Sequence, residues 1–106
     1  MAKYLIQVNY TLDGTKGVLA QGGSARKAAA EAAAKSAGGT LESFYFAFGK
    51  TDVYVIGDFP DHASAAALAL AVSAGGGATA TTTVLLTPEE IDKAAGAKVE
   101  YRPPGS

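Results

Sequence analysis

Residues 41–61 read Leu-Glu-Ser-Phe-Tyr-Phe-Ala-Phe-Gly-Lys-Thr-Asp-Val-Tyr-Val-Ile-Gly-Asp-Phe-Pro-Asp, and this stretch decides the fold. Phe44, Phe46 and Phe48 share one side at the strand period of two, with Leu41, Tyr45 and Ala47 on the other. Gly49-Lys50-Thr51 predicts a short turn, Gly49 supplying the positive φ of a tight hairpin. On the return strand, Asp52 to Phe59, Val53, Val55 and Phe59 oppose Tyr54 and Ile56. Both faces of the hairpin are apolar, whereas a sheet covered on one side alternates more cleanly. Helices of the same chain can cover one face. A second copy of the chain is the economical cover for the other.

Working outward, Lys3 to Tyr10 is a first strand, with Tyr4, Ile6, Val8 and Tyr10 on one side and Lys3, Gln7 and Asn9 on the other. Thr11 is placed to cap the next segment. That segment, Leu12 to Ala37, has helical propensity but is interrupted by Gly14, Gly17 and Gly22-Gly23, each costing about 1 kcal/mol relative to alanine. The spacing predicts a turn or two, a break at Gly22-Gly23, and a firm helix from Ser24. Lys27, Glu31 and Lys35 recur on a wet face, and Ala25, Ala28, Ala29, Ala32 and Ala33 are the expected buried side. Gly38-Gly39 ends the helix.

After the hairpin, Asp61 caps a second helix over Ala63–Ala74 that carries Leu68 and Val72, and Gly75-Gly76-Gly77 stops it. Ala78 to Leu86, rich in threonine and β-branched residues, is a fourth strand. Thr87-Pro88-Glu89-Glu90 is a capping box with proline at the first helical position. Lys98 to Tyr101 has the pattern of an additional edge strand, and residues 102–106 that of a loose tail. The order β-α-β-β-α-β plus a C-terminal helix is the α+β, ferredoxin-like split-βαβ pattern. It places a four-stranded antiparallel sheet under two helices on one face, with the crossover strands central.

With 106 residues, a single domain over 1–101 is expected. A net charge of −1 without a basic cluster argues against nucleic acid as a partner. No cysteine is present, which removes disulfides and thiolate chemistry. No window is apolar enough for a membrane span, and no signal pattern opens the chain. A soluble, cytoplasmic protein whose partner is itself is the expectation.

Tyr10-Thr11 before a glycine-bearing helix, Gly38-Gly39-Thr40-Leu41-Glu42-Ser43-Phe44-Tyr45, Phe48-Gly49-Lys50-Thr51-Asp52 and Phe59-Pro60-Asp61 together resemble the GYD domain family. Gly49 and Asp52 match the turn for which the family is named, with Thr51 where tyrosine is typical. The resemblance implies a ferredoxin-like dimeric α+β barrel and a homo-oligomer, and it carries no specific activity.

Gly49-Lys50-Thr51 echoes the end of a phosphate-binding loop, but Phe44 stands where that pattern needs glycine. His62, the only histidine, sits at a helix start beside Asp61 and near Asp58. It is a proton-transfer residue, or a metal site with the two carboxylates, or else a cap residue and solvated first-turn side chain. A lone histidine is a poor transition-metal signal, so no metal is expected, and no motif calls for a cofactor. Tyr45, Asp52, Tyr54 and His62 are the candidates for proton handling. Gln7, Asn9, Ser43, Thr81 and Thr83 can line one polar-tinged face, with Arg26 or Lys16 closing its mouth, as in small-ligand clefts. The same set also suits a hydrogen-bonded subunit interface. These readings make the chain a small-ligand-binding or structural homo-oligomer. The alternatives are a cofactor-independent monooxygenase or isomerase acting on a small aromatic or lactone-like compound, and a metabolite-sensing module.

Overall fold

The computed structural model describes residues 1–105; the last residue of the expected tail, Ser106, lies outside them. The elements are β1 (Ala2–Tyr10), α1 (Leu12–Gln21), α2 (Gly23–Ser36), β2 (Thr40–Phe46), β3 (Val53–Phe59), α3 (His62–Ala74), β4 (Ala78–Leu85) and α4 (Pro88–Ala95). The strands form one antiparallel sheet in the order β2-β3-β1-β4. This is the ferredoxin-like α+β arrangement, with the crossover strands β1 and β3 in the middle.

The side of the sheet that faces the helices is built from alternate residues. Tyr4 and Ile6 of β1 and Val53, Val55 and Phe59 of β3 are buried, joined by Ala34 of α2 and Ala65 of α3. Tyr4 packs edge-on against Phe59, with ring centroids 5.8 Å apart. Gly39 makes this packing possible. A Cβ there would stand 2.5 Å from both the Phe59 ring and the Asp58 carbonyl.

The hairpin and the C-terminal segment depart from the sequence reading in three ways. The register of β2 against β3 slips between Leu41 and Ser43, so Glu42 is bulged. An extra residue reverses the side-chain parity. Leu41 therefore joins Phe44 on the helix-facing side instead of opposing it. The hairpin connection is also looser than a tight turn. It runs from Ala47 to Asp52, closed by the Ala47 amide donating to the Asp52 carbonyl at 2.8 Å, and Gly49 does not take a positive φ. Lys98 to Tyr101 pairs with no strand.

The break between the first two helices is where the glycines predicted it, with Gly22 at φ 83°. The piece before it is a full ten-residue helix, capped by the Thr11 hydroxyl accepting from the Gly14 amide. Its start is riveted to the α3–β4 loop. Thr11 donates from its amide to the Gly77 carbonyl at 3.0 Å and from its hydroxyl to Gly76 at 2.9 Å. Gly14 sits against Gly77 so closely that a Cβ would overlap the carbonyl oxygen. In α2 the inward stripe is Ala30, Ala33 and Ala34, continued by the cap residue Ala37; of the expected buried side Ala33 lies on it, whereas Ala25, Ala28, Ala29 and Ala32 are exposed. An almost continuous alanine run carries no apolar contrast to set the helical phase.

The C-terminal portion stands apart. Both halves of the capping box form at Thr87 and Glu90, yet every residue from Pro88 to Gly105 is exposed. The radius of gyration is 17.0 Å and the longest extent 58 Å, against about 13 Å for the radius of a compact chain of this length. The difference is this projecting arm.

Candidate functional site

Small side chains on the helices face large ones on the sheet, and the mismatch leaves space. Ala29, Ala30 and Ala33 of α2 and Ala69 of α3 oppose Ile6, Val8, Val53 and Phe44 across a cleft of about 130 Å3. Its walls are almost wholly apolar. The exceptions stand at the rim, where Tyr10 and Arg26 lie between the cleft and a wider vestibule of about 470 Å3. Asp13, Gly14, Gly17, Gln21 and the Gly75–Gly77 loop line that vestibule, and the two spaces share Tyr10, Arg26, Val72 and Ala78. The helix break at Gly22 frees α2 to start on its own line, which brings Arg26 to the rim. Among the described residues Arg26 makes no ion pair and donates no side-chain hydrogen bond. The ion pairs among the described residues belong to Lys3. An unpaired guanidinium at the mouth of an apolar cleft can take a carboxylate in bidentate fashion.

A second concavity, open and about 460 Å3, lies between α3 and β4. His62, Ala66, Leu70, Thr82 and Val84 surround it, with Tyr4 beneath. Tyr4 is 1% exposed, and its phenol oxygen lies 2.6 Å from His62 Nδ1. That nitrogen is the phenol's hydrogen-bond partner among the described residues, and the imidazole tautomer sets which of the two donates. In the arrangement where the phenol donates to a neutral imidazole, the ring proton is on Nε2. Asp61, next to His62, instead caps α3 by accepting from the Ser64 amide at 2.8 Å. That bond holds the Asp61 carboxyl below its usual range.

The remaining candidates divide between the two sides of the sheet. The register sets Tyr45, Tyr54, Gln7 and Thr81 in one row across the open face, and Ser43, Ile56, Leu5 and Thr83 in the next. Asn9 follows opposite Thr79. The polar residues expected to share a face thus do so, interleaved with Leu5, Ile56 and two tyrosines. Tyr45 is 71% and Tyr54 40% exposed. Arg26 is not with them. It is on the helix side, so the expected cleft combining Arg26 with Gln7, Asn9, Ser43, Thr81 and Thr83 does not assemble.

Nor do the four proton-handling candidates converge. Tyr45 and Tyr54 are cross-strand neighbours on the open face, while His62 is on the helix side with Tyr4. Asp52 clamps strand ends, accepting from the Tyr10 amide at 2.8 Å while its own amide donates to the Val8 carbonyl. Asp58 pairs with Lys3, which also reaches Glu42 at 2.8 Å. Those two acceptors raise the Lys3 pKa above its usual value. Thr51, buried at 7% exposure, accepts from the Gln7 side-chain amide.

Sequence reasoning missed Tyr4 and Tyr10 as site residues because their inward alternation made them core. The available signal was chemical, since a buried phenol requires a partner.

A family model described as GYD domain matches residues 4–95. No curated protein and no solved structure matches the chain.

Proposed function

The chain belongs to the GYD domain family, and from that premise we infer that it is a homo-oligomeric protein that binds a small amphiphilic acid. The observation that carries this reading is the continuity of an alanine-walled cleft with a vestibule at an unpaired Arg26. An engineered apolar cavity of roughly 150 Å3 takes up benzene, so a cleft near that size suits one ring or a short alkyl chain. The acidic group would meet Arg26, with the Tyr10 side chain beside it. The oligomer is supported by the open face, where Leu5, Ile56, Tyr45 and Tyr54 lie without cover from their own chain.

The test is a titration with hexanoate and benzoate followed by amide NMR, with hexanol and benzyl alcohol as neutral controls. The acids shift resonances of Ala30, Ala33, Val55 and Ala69. Arg26→Gln weakens the acids by about tenfold, or roughly 1.4 kcal/mol, and leaves the alcohols unchanged. Equal loss for acids and alcohols, or no shifts at millimolar ligand, would remove the reading.

The enzyme alternative finds its support in the Tyr4–His62 pair beside an open apolar concavity. There His62 Nε2–H would donate to a substrate carbonyl, with the Tyr4 phenol fixing the tautomer. An activity screen over small aromatic and lactone-like compounds tests it. Turnover that His62→Ala leaves intact would remove this assignment.

A further inference from the structure

The two edges of the sheet are unlike each other. The β2 edge is interrupted by the Glu42 bulge, a common means of blunting an edge against pairing. The β4 edge has no such device. Ala78–Leu85 contains no charge, proline or register shift, and its ladder partner is β1 alone. Eight residues of strand therefore present one row of backbone donors and acceptors with no partner strand. Beside that edge lies the apolar concavity of Leu70, Ala80, Thr82 and Val84, open along the same side. Leu70 is 71% exposed there.

The same chain carries a segment suited to this place and does not use it. Lys98-Val99-Glu100-Tyr101 alternates at the strand period, yet it is unpaired, with Val99 78% and Tyr101 72% exposed. The segment is held away from its own sheet. The Thr87–Glu90 capping box and Pro88 fix the direction in which α4 leaves β4. Eight helical residues then carry the chain about 12 Å onward, beyond the sheet's end instead of back along its edge.

We propose that the C-terminal arm of one copy adds residues 97–101 as a strand to the free β4 edge of a second copy. Main-chain hydrogen bonds along the edge supply affinity, and the alternate side chains supply specificity. Val99 and Tyr101 extend the inward row of Ala80, Thr82 and Val84 and cover Leu70, while Lys98 and Glu100 face solvent. The exchange is reciprocal under a two-fold axis, because each copy offers one arm and one open edge. This goes beyond ligand binding at Arg26 and does not depend on it.

The test uses the full chain and substitutions confined to the exposed arm, where they touch nothing in a single copy. Sedimentation equilibrium gives a dimer for the unsubstituted chain. Val99→Pro, which removes a strand amide, raises the dimer dissociation constant at least tenfold while leaving the circular dichroism spectrum intact. The absence of native cysteine allows a second measurement. Chains carrying Val99→Cys mixed with chains carrying Val84→Cys form a mixed disulfide in air. A dimer indifferent to Val99→Pro, no mixed disulfide, or a monomer at 100 µM overturns the proposal. Hexanoate titration of the same samples reports separately on the Arg26 site.

Discussion

Replacing Ala33 by leucine puts the cleft beneath α2 to a direct test. For a space of about 130 Å3, roughly 24 cal/mol per Å3 sets an upper bound of about 3 kcal/mol on the packing left unrealised, since that coefficient belongs to closed cavities and this cleft opens on the vestibule. Leucine brings three more carbons, worth at most about 2.4 kcal/mol at roughly 0.8 kcal/mol per buried methylene. Losing the leucine rotamers takes back about 0.5–1 kcal/mol, and an imperfect fit takes more. The expected net gain is about 1 kcal/mol, which for a domain of this size raises Tm by about 4–8 °C. Urea unfolding at one fixed protein concentration is the assay, with a higher midpoint at unchanged slope as the expected result. In the same variant hexanoate no longer shifts the amide resonances, because its tail and the leucine compete for one space. A loss of about 2 kcal/mol or more would mean that leucine had met atoms instead of space. Hexanoate binding that survived the substitution would place the ligand elsewhere.

Four further outcomes follow from contacts described above. Tyr4→Phe removes the bond to His62 Nδ1 and costs about 1 kcal/mol, and nitrogen NMR of the imidazole then shows both tautomers instead of one. Gly14→Ala forces its Cβ into the Gly77 carbonyl. It costs about 1–3 kcal/mol and increases hydrogen exchange at the Thr11 amide. Thr87→Ala removes the capping box, worth about 1 kcal/mol to α4. Helical shifts from Pro88 to Ala95 weaken while the unfolding midpoint of the sheet, measured on dilute monomer, stays put. The Asp61 carboxyl is held below its ordinary 3.8 by the Ser64 amide, so its cap on α3 is fully present above that value and is lost as pH falls through the lowered pKa. Ser64 amide exchange therefore quickens at acid pH, and Asp61→Asn abolishes that dependence.

The fold was legible because local signals agreed with one another. Thr11, Asp61 and Thr87 cap helices where their side chains and neighbours predict, and Gly22 breaks the first helical segment where its backbone freedom allows. What failed to read was phase. Leu41 lies on the other side of the sheet from its apparent parity, because a single bulged residue is invisible in an alternating string. The inward stripe of α2 was misplaced because alanine follows alanine with too little contrast. The site suffered from the same blindness. Arg26 was singled out, but which side of the sheet it joined depended on the phase of α2. The pairing of Tyr4 with His62, 58 residues apart in sequence, required the crossover to be in place. Asp52 could be read as a proton acceptor or as a strand-end anchor, and its carboxylate takes the Tyr10 amide.

The irregularity at Glu42 bears on solubility. A flat sheet with two receptive margins can recruit neighbours on both sides and grow without limit, which is the route to fibres. Blunting one margin changes the arithmetic, because strand addition is then confined to one edge, where a reciprocal two-fold exchange closes on itself. In the proposed assembly, one surplus residue in the second strand would thus act as a stop on polymerisation. Deleting Glu42 is expected to turn a finite assembly into a precipitating one, which light scattering on a concentrated sample would detect.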